Sequence, residues 1–231
     1  MGNFIGLFNI EDKLFNSFNK ESNAVQEFID RNNNISIIRN ILSSDERNFL
    51  VEKMYSNNSI PVGIDGIAAN YVENSKIHSL RSTLYSEILA KILYNRVKDF
   101  VVNVNNPYMN MRVYEPYAIN PAFRFIHYEK SGMLVPHYDF PYKKDEKNMS
   151  LMSIVFYLTD NPNGGETRFV KEYRKDDNSD WNRCANENEI TDIVNPKVCS
   201  ALLFPHNLLH EGRMCQDTKI IIRTDVMYKE V

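Results

Sequence analysis

The sequence predicts an α+β protein in which N-terminal helices support a β-sandwich or barrel. Three observations support this prediction: helical periodicity over roughly the first hundred residues, a change to short β-rich runs after Val101, and the order of the helical and β-rich parts along the chain. Helices followed by strands, without regular alternation, are typical of α+β folds. The length of 231 residues favours a single domain over two.

The N-terminal part, residues 1–105, carries two helical patterns. In SSDERNFLVEKM, Ser43 and Glu46 stand three residues apart before an apolar group, which is the pattern of a capping box. The stretch HSLRSTLYSEILAKILYNRVKDFV has apolar residues at intervals of four from Leu84 onward, with a second apolar row beside them. We therefore treat residues 1–105 as a helical support region that packs its apolar stripe against the β region.

The rest of the chain, residues 106–231, is rich in short β-prone runs separated by Pro, Gly and Asn. The runs are FRFIHY, SLMSIVFYL, ETRFV, CSALLF and KIIIRTDVM. Many short strands between turn signals predict a sandwich or barrel. One long polar stretch, Lys171 to Glu189, interrupts the strands and contains the one tryptophan, Trp181. Loops of this length tend to be functional or disordered.

The bulk composition excludes several partners. The net charge is −3 and Lys and Arg never occur more than two in a row, so no basic patch for nucleic acid or an anionic membrane is expected. The three widely spaced cysteines are typical of reduced thiols in a cytoplasmic protein. No signal peptide is evident, and no apolar run approaches the roughly 18 residues of a membrane span. The oligomeric state stays open.

The stretch LVPHYDFPY places His137 and Asp139 two residues apart, and on a strand both side chains would leave the same face. A His-x-Asp pair arises easily by chance, so it needs partners. ALLFPHNLLHEG offers His206 and His210, each of which has a structural alternative as a buried histidine. Two histidines and one carboxylate on one face of an octahedron form a non-haem ferrous site with open positions for a co-substrate and dioxygen.

Four blocks occur together in one order: FIHYEKSGMLVPHYDF, SIVFYLTDNPNGGETRF, CSALLFPHNLLHEG and TKIIIRTDVMY. With them, the segment from about Phe123 to Tyr228 resembles the Fe(II)- and 2-oxoglutarate-dependent dioxygenases of the prolyl 4-hydroxylase type. The resemblance implies that residues 106–231 are the catalytic core, a double-stranded β-helix of the jelly-roll or cupin-like kind, within one dioxygenase domain spanning 1–231.

The same resemblance implies roles for individual residues. The implied iron ligands are His137, Asp139 and His210. Contacts to 2-oxoglutarate fall on Tyr128, Tyr157 and Lys219, with the turn Gly164–Thr167 belonging to the same pattern. Lys219 stands nine residues after His210, where the family has a basic residue whose positive charge pairs with the far carboxylate of the co-substrate.

Lys219 and Arg223 compete for that pairing. In KIIIRTDVM they alternate onto one strand face but lie about 13 Å apart, so a co-substrate tethered at iron reaches only one of them. Arg223 has the planar fork that pairs bidentately with carboxylates. We predict Lys219 as the clamp because its spacing from the distal ligand fits the family, and we keep Arg223 as the alternative.

The resemblance implies that the protein activates dioxygen at Fe(II), releases succinate and CO2 from 2-oxoglutarate, and hydroxylates an unactivated carbon, with ascorbate supporting activity. Related halogenases lack the carboxylate ligand, which is present here as Asp139, so the resemblance favours hydroxylation over halogenation. The substrate stays open among an amino acid, a peptidyl residue such as proline, and another small molecule. Arg124 and Trp181 are candidate substrate contacts, with a structural ion pair and a packing anchor as their respective alternatives.

Two other functions remain as alternatives. One is a non-catalytic, cupin-like jelly roll that only binds a metal. The other is a nucleic-acid demethylase on the same scaffold, which the acidic charge balance disfavours.

Overall fold

The protein is described by a computed structural model that covers residues 6–18, 22–67, 77–106, 112–160, 163–171 and 183–231. In these ranges the helical elements are α1 (Ser44–Tyr55), α2 (Glu87–Val97) and two short 3₁₀-helices, Asp12–Ser17 and Glu187–Glu189. The strands are β1 (Leu7–Phe8), β2 (Val25–Asp30), β3 (Ile35–Arg39), β4 (Ile60–Val62), β5 (Ser79–Tyr85), β6 (Val104–Asn106), β7 (Arg112–Ile119), β8 (Ala122–Tyr128), β9 (Leu134–His137), β10 (Asn148–Tyr157), β11 (Thr167–Val170), β12 (Ile190–Val194), β13 (Ala201–Pro205), β14 (His210–Gly212) and β15 (Lys219–Glu230).

The strands form a larger and a smaller sheet. The larger sheet runs in the order β1-β5-β8-β15-β10-β13-β3-β2, with β4, β6 and β7 attached beside this path, and the smaller sheet runs β12-β11-β14-β9. Neighbours within both sheets are antiparallel apart from the short pair β1 and β5. This is the predicted double-stranded β-helix with supporting helices, and each of the five predicted β-prone runs lies on a strand.

Strand β15 shows how the sequence divides the interior. Its even-numbered Ile222 and Val226 belong to an apolar cluster that includes Leu89 and Leu93 of α2. Its odd-numbered Ile221 belongs to a second cluster with residues from both sheets. Because side chains alternate along a strand, Lys219 and Arg223 share the face of Ile221, which lies between the sheets.

The N-terminal region differs from its prediction, because residues 1–105 form strands as well as helices. The pattern that starts at Leu84 is not helical throughout: Ser79–Tyr85 is a strand, and α2 begins only at Glu87. Ser86 caps α2 by accepting a hydrogen bond from the Leu89 amide, which ends the strand and starts the helix. The preceding residues pair with β4 and β8, and these ladder bonds override the local helical periodicity.

The capping box predicted at the start of α1 is confirmed. Ser43 Oγ accepts from the Glu46 amide at 3.2 Å, and the Glu46 carboxylate accepts from the Ser43 amide at 2.8 Å. Glu46 also pairs with Arg96 of α2 at 2.6 Å, and both side chains are almost fully buried. One carboxylate therefore caps α1 and ties it to α2. No helix in the described ranges is both long enough and apolar enough to cross a membrane.

Candidate metal and co-substrate site

Pairing of two short strands brings the predicted metal ligands together. His137 ends β9 and His210 begins β14, and the two residues face each other in the antiparallel register of the smaller sheet. Their ring centroids are 4.3 Å apart. Asp139 follows β9 and turns its carboxylate to both rings. His137 and His210 are more than seventy residues apart in sequence, and the pairing of β9 with β14 brings them together.

The three side chains have the geometry of a metal-binding group. Asp139 Oδ1 lies 3.9 Å from His137 Nε2, and Asp139 Oδ2 lies 3.7 Å from His210 Nε2. One nitrogen or oxygen from each residue falls within 4.8 Å of the others, and among the described residues this is the one group that meets that test. One ion can therefore contact all three donors.

Backbone carbonyls orient both imidazoles. His137 Nδ1 lies 2.9 Å from the Val135 carbonyl oxygen, and His210 Nδ1 lies 2.9 Å from the Leu208 carbonyl oxygen. Because a carbonyl only accepts, each Nδ1 carries the proton and each Nε2 is left with its lone pair. This is the arrangement in which a second interaction fixes the tautomer of a metal-binding histidine.

Burial and charge set the protonation that ligands require. Burial lowers the pKa of His210 to about 3, with the neighbouring His137 acting in the same direction. Burial also lowers the pKa of His137. For Asp139 burial acts to raise the pKa, but Arg223 and the two histidines hold it below its usual range. At neutral pH the site therefore offers two neutral imidazoles and one carboxylate.

Arg223 holds the carboxylate of Asp139. Its Nη2 lies 3.0 Å from Asp139 Oδ1 and its Nε donates to Asp139 Oδ2 at 3.1 Å, while Ser153 Oγ donates to the same oxygen. Arg223 Nη2 also lies 3.0 Å from Asp225 Oδ1. Arg223 thus lies beside the candidate metal ligands, and its guanidinium already contacts two carboxylates.

The predicted co-substrate residues form a separate cluster around Lys219. The Lys219 side chain is buried, donates to the Gly165 carbonyl at 2.6 Å, and lies 5.5 Å from the ring centroid of Tyr128 and 6.0 Å from that of Tyr157. Tyr157 Oη and Thr167 Oγ1 are 2.9 Å apart. Gly165, within the turn Gly164–Thr167, therefore contacts the Lys219 cation, and Thr167 of the same turn contacts Tyr157.

The remaining predicted residues fall in different places. Arg124 faces the interior, 4.0 Å from Asp225, with 27% of its side chain exposed. Trp181 lies outside the described residues. The rival ligand His206 is buried, with Nε2 3.5 Å from Asp225 Oδ1, and is not part of the metal-binding group. His127 packs edge-on against the Tyr55 ring, so it points away from the site.

Sequence reasoning missed three polar residues of the interior. Asp225 was detectable, because it follows Arg223 by two residues and therefore shares its strand face. Ser153 carried no signal of its own. Arg81 was assigned to the predicted helix, so its position on β5 beside the site appears only in the structure.

Comparison with known proteins agrees with this geometry. The family model described as the 2OG-Fe(II) oxygenase superfamily matches residues 123–224, so this segment of the chain is similar to that superfamily. A search of curated proteins finds no match.

Three solved structures share the fold at low sequence identity. A prolyl hydroxylase from Trichoplax adhaerens, in complex with a peptide fragment of the hypoxia inducible factor oxygen degradation domain, is 18% identical, with 84% of this chain and 83% of that chain covered at a TM-score of 0.54. The viral collagen prolyl hydroxylase of Paramecium bursaria Chlorella virus-1 is 17% identical, with coverage of 84% and 96% and a TM-score of 0.50. The non-heme alpha-ketoglutarate-dependent epimerase SnoN of nogalamycin biosynthesis is 12% identical, with coverage of 87% and 80% and a TM-score of 0.51. The fold is therefore shared by hydroxylases and an epimerase, so it does not decide the reaction.

Proposed function

We propose that the protein is an Fe(II)- and 2-oxoglutarate-dependent hydroxylase that acts on an unactivated carbon of an amino acid, a peptidyl residue such as proline, or another small molecule. The observation that carries the proposal is the convergence of His137, Asp139 and His210 on one point. The superfamily match over the same segment supports 2-oxoglutarate as co-substrate.

The donor set fits ferrous iron. Two imidazoles and one carboxylate, with further coordination positions open, are diagnostic of non-haem Fe(II) oxygenases. Calcium prefers oxygen donors alone, whereas catalytic zinc takes the same donors, so the superfamily match is what favours iron over zinc. His137, Asp139 and His210 would hold the ion, and Arg223 and Ser153 would keep the carboxylate of Asp139 in place.

When bound, ferrous iron and 2-oxoglutarate supply the activation of dioxygen, with succinate and CO2 as co-products. The chain supplies ligation and position. Lys219 would pair with the far carboxylate of 2-oxoglutarate, because its ammonium group has three protons and the Gly165 carbonyl uses only one. Tyr128 and Tyr157 would enclose that end, since both rings flank the cation. The buried site would keep bulk water from the reacting groups.

Two further expectations belong to this proposal. We expect ascorbate to support turnover, as the resemblance implies. We also propose a cytoplasmic location, which is supported by three cysteines that are all free thiols.

The test is release of succinate from 2-oxoglutarate by the purified protein with ferrous iron and ascorbate, followed by a mass-spectrometric screen for a gain of one oxygen. Free amino acids and proline-containing peptides are the first compounds to be screened. Succinate release that needs iron supports the proposal. Tight iron binding without any succinate would favour the non-catalytic metal-binding jelly roll instead.

A further inference from the structure

We infer that the substrate presents a carboxylate to Arg81 and Arg124, and is therefore a small carboxylic acid such as a free amino acid, not an internal residue of a peptide. This inference rests on the proposed function, because it concerns the substrate of the same site.

Three arginines line one face of three adjacent strands. Arg124 of β8 stands directly opposite Arg223 of β15. On its other side Arg124 stands opposite Thr83 of β5, so Arg81, two residues before Thr83, shares that face. The face is the one between the sheets, because Ile126, opposite Arg81, belongs to the apolar cluster to which both sheets contribute.

The described residues supply too few anions for these arginines. Like charges directly opposite on neighbouring strands destabilise a sheet unless something compensates them. The carboxylates that face the three guanidinium groups are Asp139 and Asp225, and Arg223 contacts both of them at 3.0 Å. Arg124 Nη1 reaches only 4.0 Å from Asp225, which is too long for a hydrogen bond. A ferrous ion at Asp139 would increase the positive excess.

Two of the three arginines, Arg81 and Arg124, have buried donor atoms without partners in the described part of the chain. Arg81 Nε and Arg124 Nη1 are inaccessible to solvent and have no hydrogen-bond partner in the described part of the chain. Buried polar groups are paired in the great majority of cases, and unpaired ones need an explanation. Burial lowers the pKa of Arg81, whereas Tyr128 and Asp139 act to raise it, which agrees with its position beside the site.

A carboxylate meets these requirements. The planar guanidinium fork pairs with a carboxylate through two parallel hydrogen bonds, and the negative charge offsets the excess of arginines. The neutral amides on both sides of an internal peptide residue would provide acceptors but no charge. A free carboxylic acid is therefore the class that the interior face favours.

The same arginines do not suit the far end of 2-oxoglutarate. Lys219 stands opposite Tyr128, whereas Arg124 stands opposite Arg223, four residues along β15. Four strand residues span about 13 Å, so Arg124 lies far from the Lys219 cluster. The position beside Asp139 is the one a substrate approaching the metal would occupy.

The test compares each free amino acid and small dicarboxylic acid with its carboxamide, and adds proline peptides blocked at both ends. One arm follows 2-oxoglutarate-dependent oxygenation by mass spectrometry. A second arm measures the shift in melting temperature of the protein loaded with iron and 2-oxoglutarate without oxygen, which does not depend on turnover. The variants are Arg124→Gln and Arg81→Gln, with Arg124→Lys as a conservative rescue. Arg39→Gln, at an exposed ion pair with Glu27, is the matched control.

We expect a carboxylic acid to be oxygenated and to raise the melting temperature while its carboxamide does neither. Arg124→Gln and Arg81→Gln should each raise KM for that acid roughly 10- to 150-fold, as loss of a charged hydrogen bond implies. Arg124→Lys should restore part of the affinity, and Arg39→Gln should behave as the wild type.

Several results would overturn the inference. One is an equal melting-temperature shift or equal oxygenation for an acid and its carboxamide, and another is either response with blocked peptides. A third is that none of the acids tested shifts the melting temperature. The last is a loss of 2-oxoglutarate affinity in both Gln variants without a change in acid preference. Absence of any oxygenation would count against the proposed function alone, and the melting arm would then decide the class of ligand.

Discussion

Replacement of Lys219 by Met tests which cation clamps 2-oxoglutarate. The change keeps most of the volume of a side chain that is 3% exposed, and it removes the charge. In the protein, Lys219 Nζ donates one hydrogen bond to the Gly165 carbonyl at 2.6 Å, so two of its N–H groups remain available to a carboxylate. A charged hydrogen bond contributes about 1.5–3 kcal/mol, which predicts roughly 10- to 150-fold weaker 2-oxoglutarate binding in Lys219→Met.

The pH dependence of this affinity gives a second signature. Burial lowers the pKa of Lys219 below its ordinary value of 10.5. The co-substrate carboxylate binds the charged ammonium, so affinity is full below the lowered pKa and is lost as the pH rises through it. Lys219→Met has no such proton to lose, so this part of the pH dependence should disappear.

The assay is anaerobic calorimetric titration of 2-oxoglutarate into protein saturated with ferrous iron. Arg223→Met is the comparison, because Arg223 shares the strand face and carries the same charge but contacts Asp139. Its 2-oxoglutarate dissociation constant should change much less. An unchanged constant in Lys219→Met, together with a large change in Arg223→Met at saturating iron, would show that the wrong cation had been assigned.

Three further predictions concern the ligands and the scaffold. His210→Ala should abolish iron binding and succinate release, whereas His206→Ala should keep iron binding; metal analysis of the two purified proteins reads this out, and the opposite pattern would reassign the distal ligand. Arg223→Met should weaken iron affinity in a competition titration with a chelator, because Asp139 loses its main contact; unchanged affinity would contradict a positioning role. Arg96→Met removes the buried ion pair with Glu46 and should lower the free energy of unfolding in urea by about 3–5 kcal/mol; a decrease below about 1 kcal/mol would contradict this.

Local patterns were sufficient where a feature depends on neighbours in sequence. The capping box of Ser43 and Glu46 needs only a spacing of three, and the structure contains it. The shared face of Lys219 and Arg223 follows from strand alternation, and it holds because β15 is regular over both residues. His137 and Asp139 do approach each other, but β9 ends at His137, so strand alternation is not what places Asp139.

The stretch before α2 shows where local patterns fail. The apolar spacing from Leu84 suited a helix, but residues Ser79–Tyr85 form a strand because β4 and β8 offer their backbone groups on either side. That outcome placed Arg81 in the interior. Propensity is a weak guide when a segment can satisfy its hydrogen bonds in either form, since the partners decide.

The sequence by itself therefore predicted the fold class, the capped first helix, and the residue types of the candidate metal site. Only the tertiary structure decided that His210 and not His206 lies opposite His137, that Arg223 holds Asp139, and that three arginines share one interior face. The physical reason is the range of the interactions. Periodicity and capping act over a few residues, whereas strand register joins residues whose separation in sequence carries no information about which faces will meet.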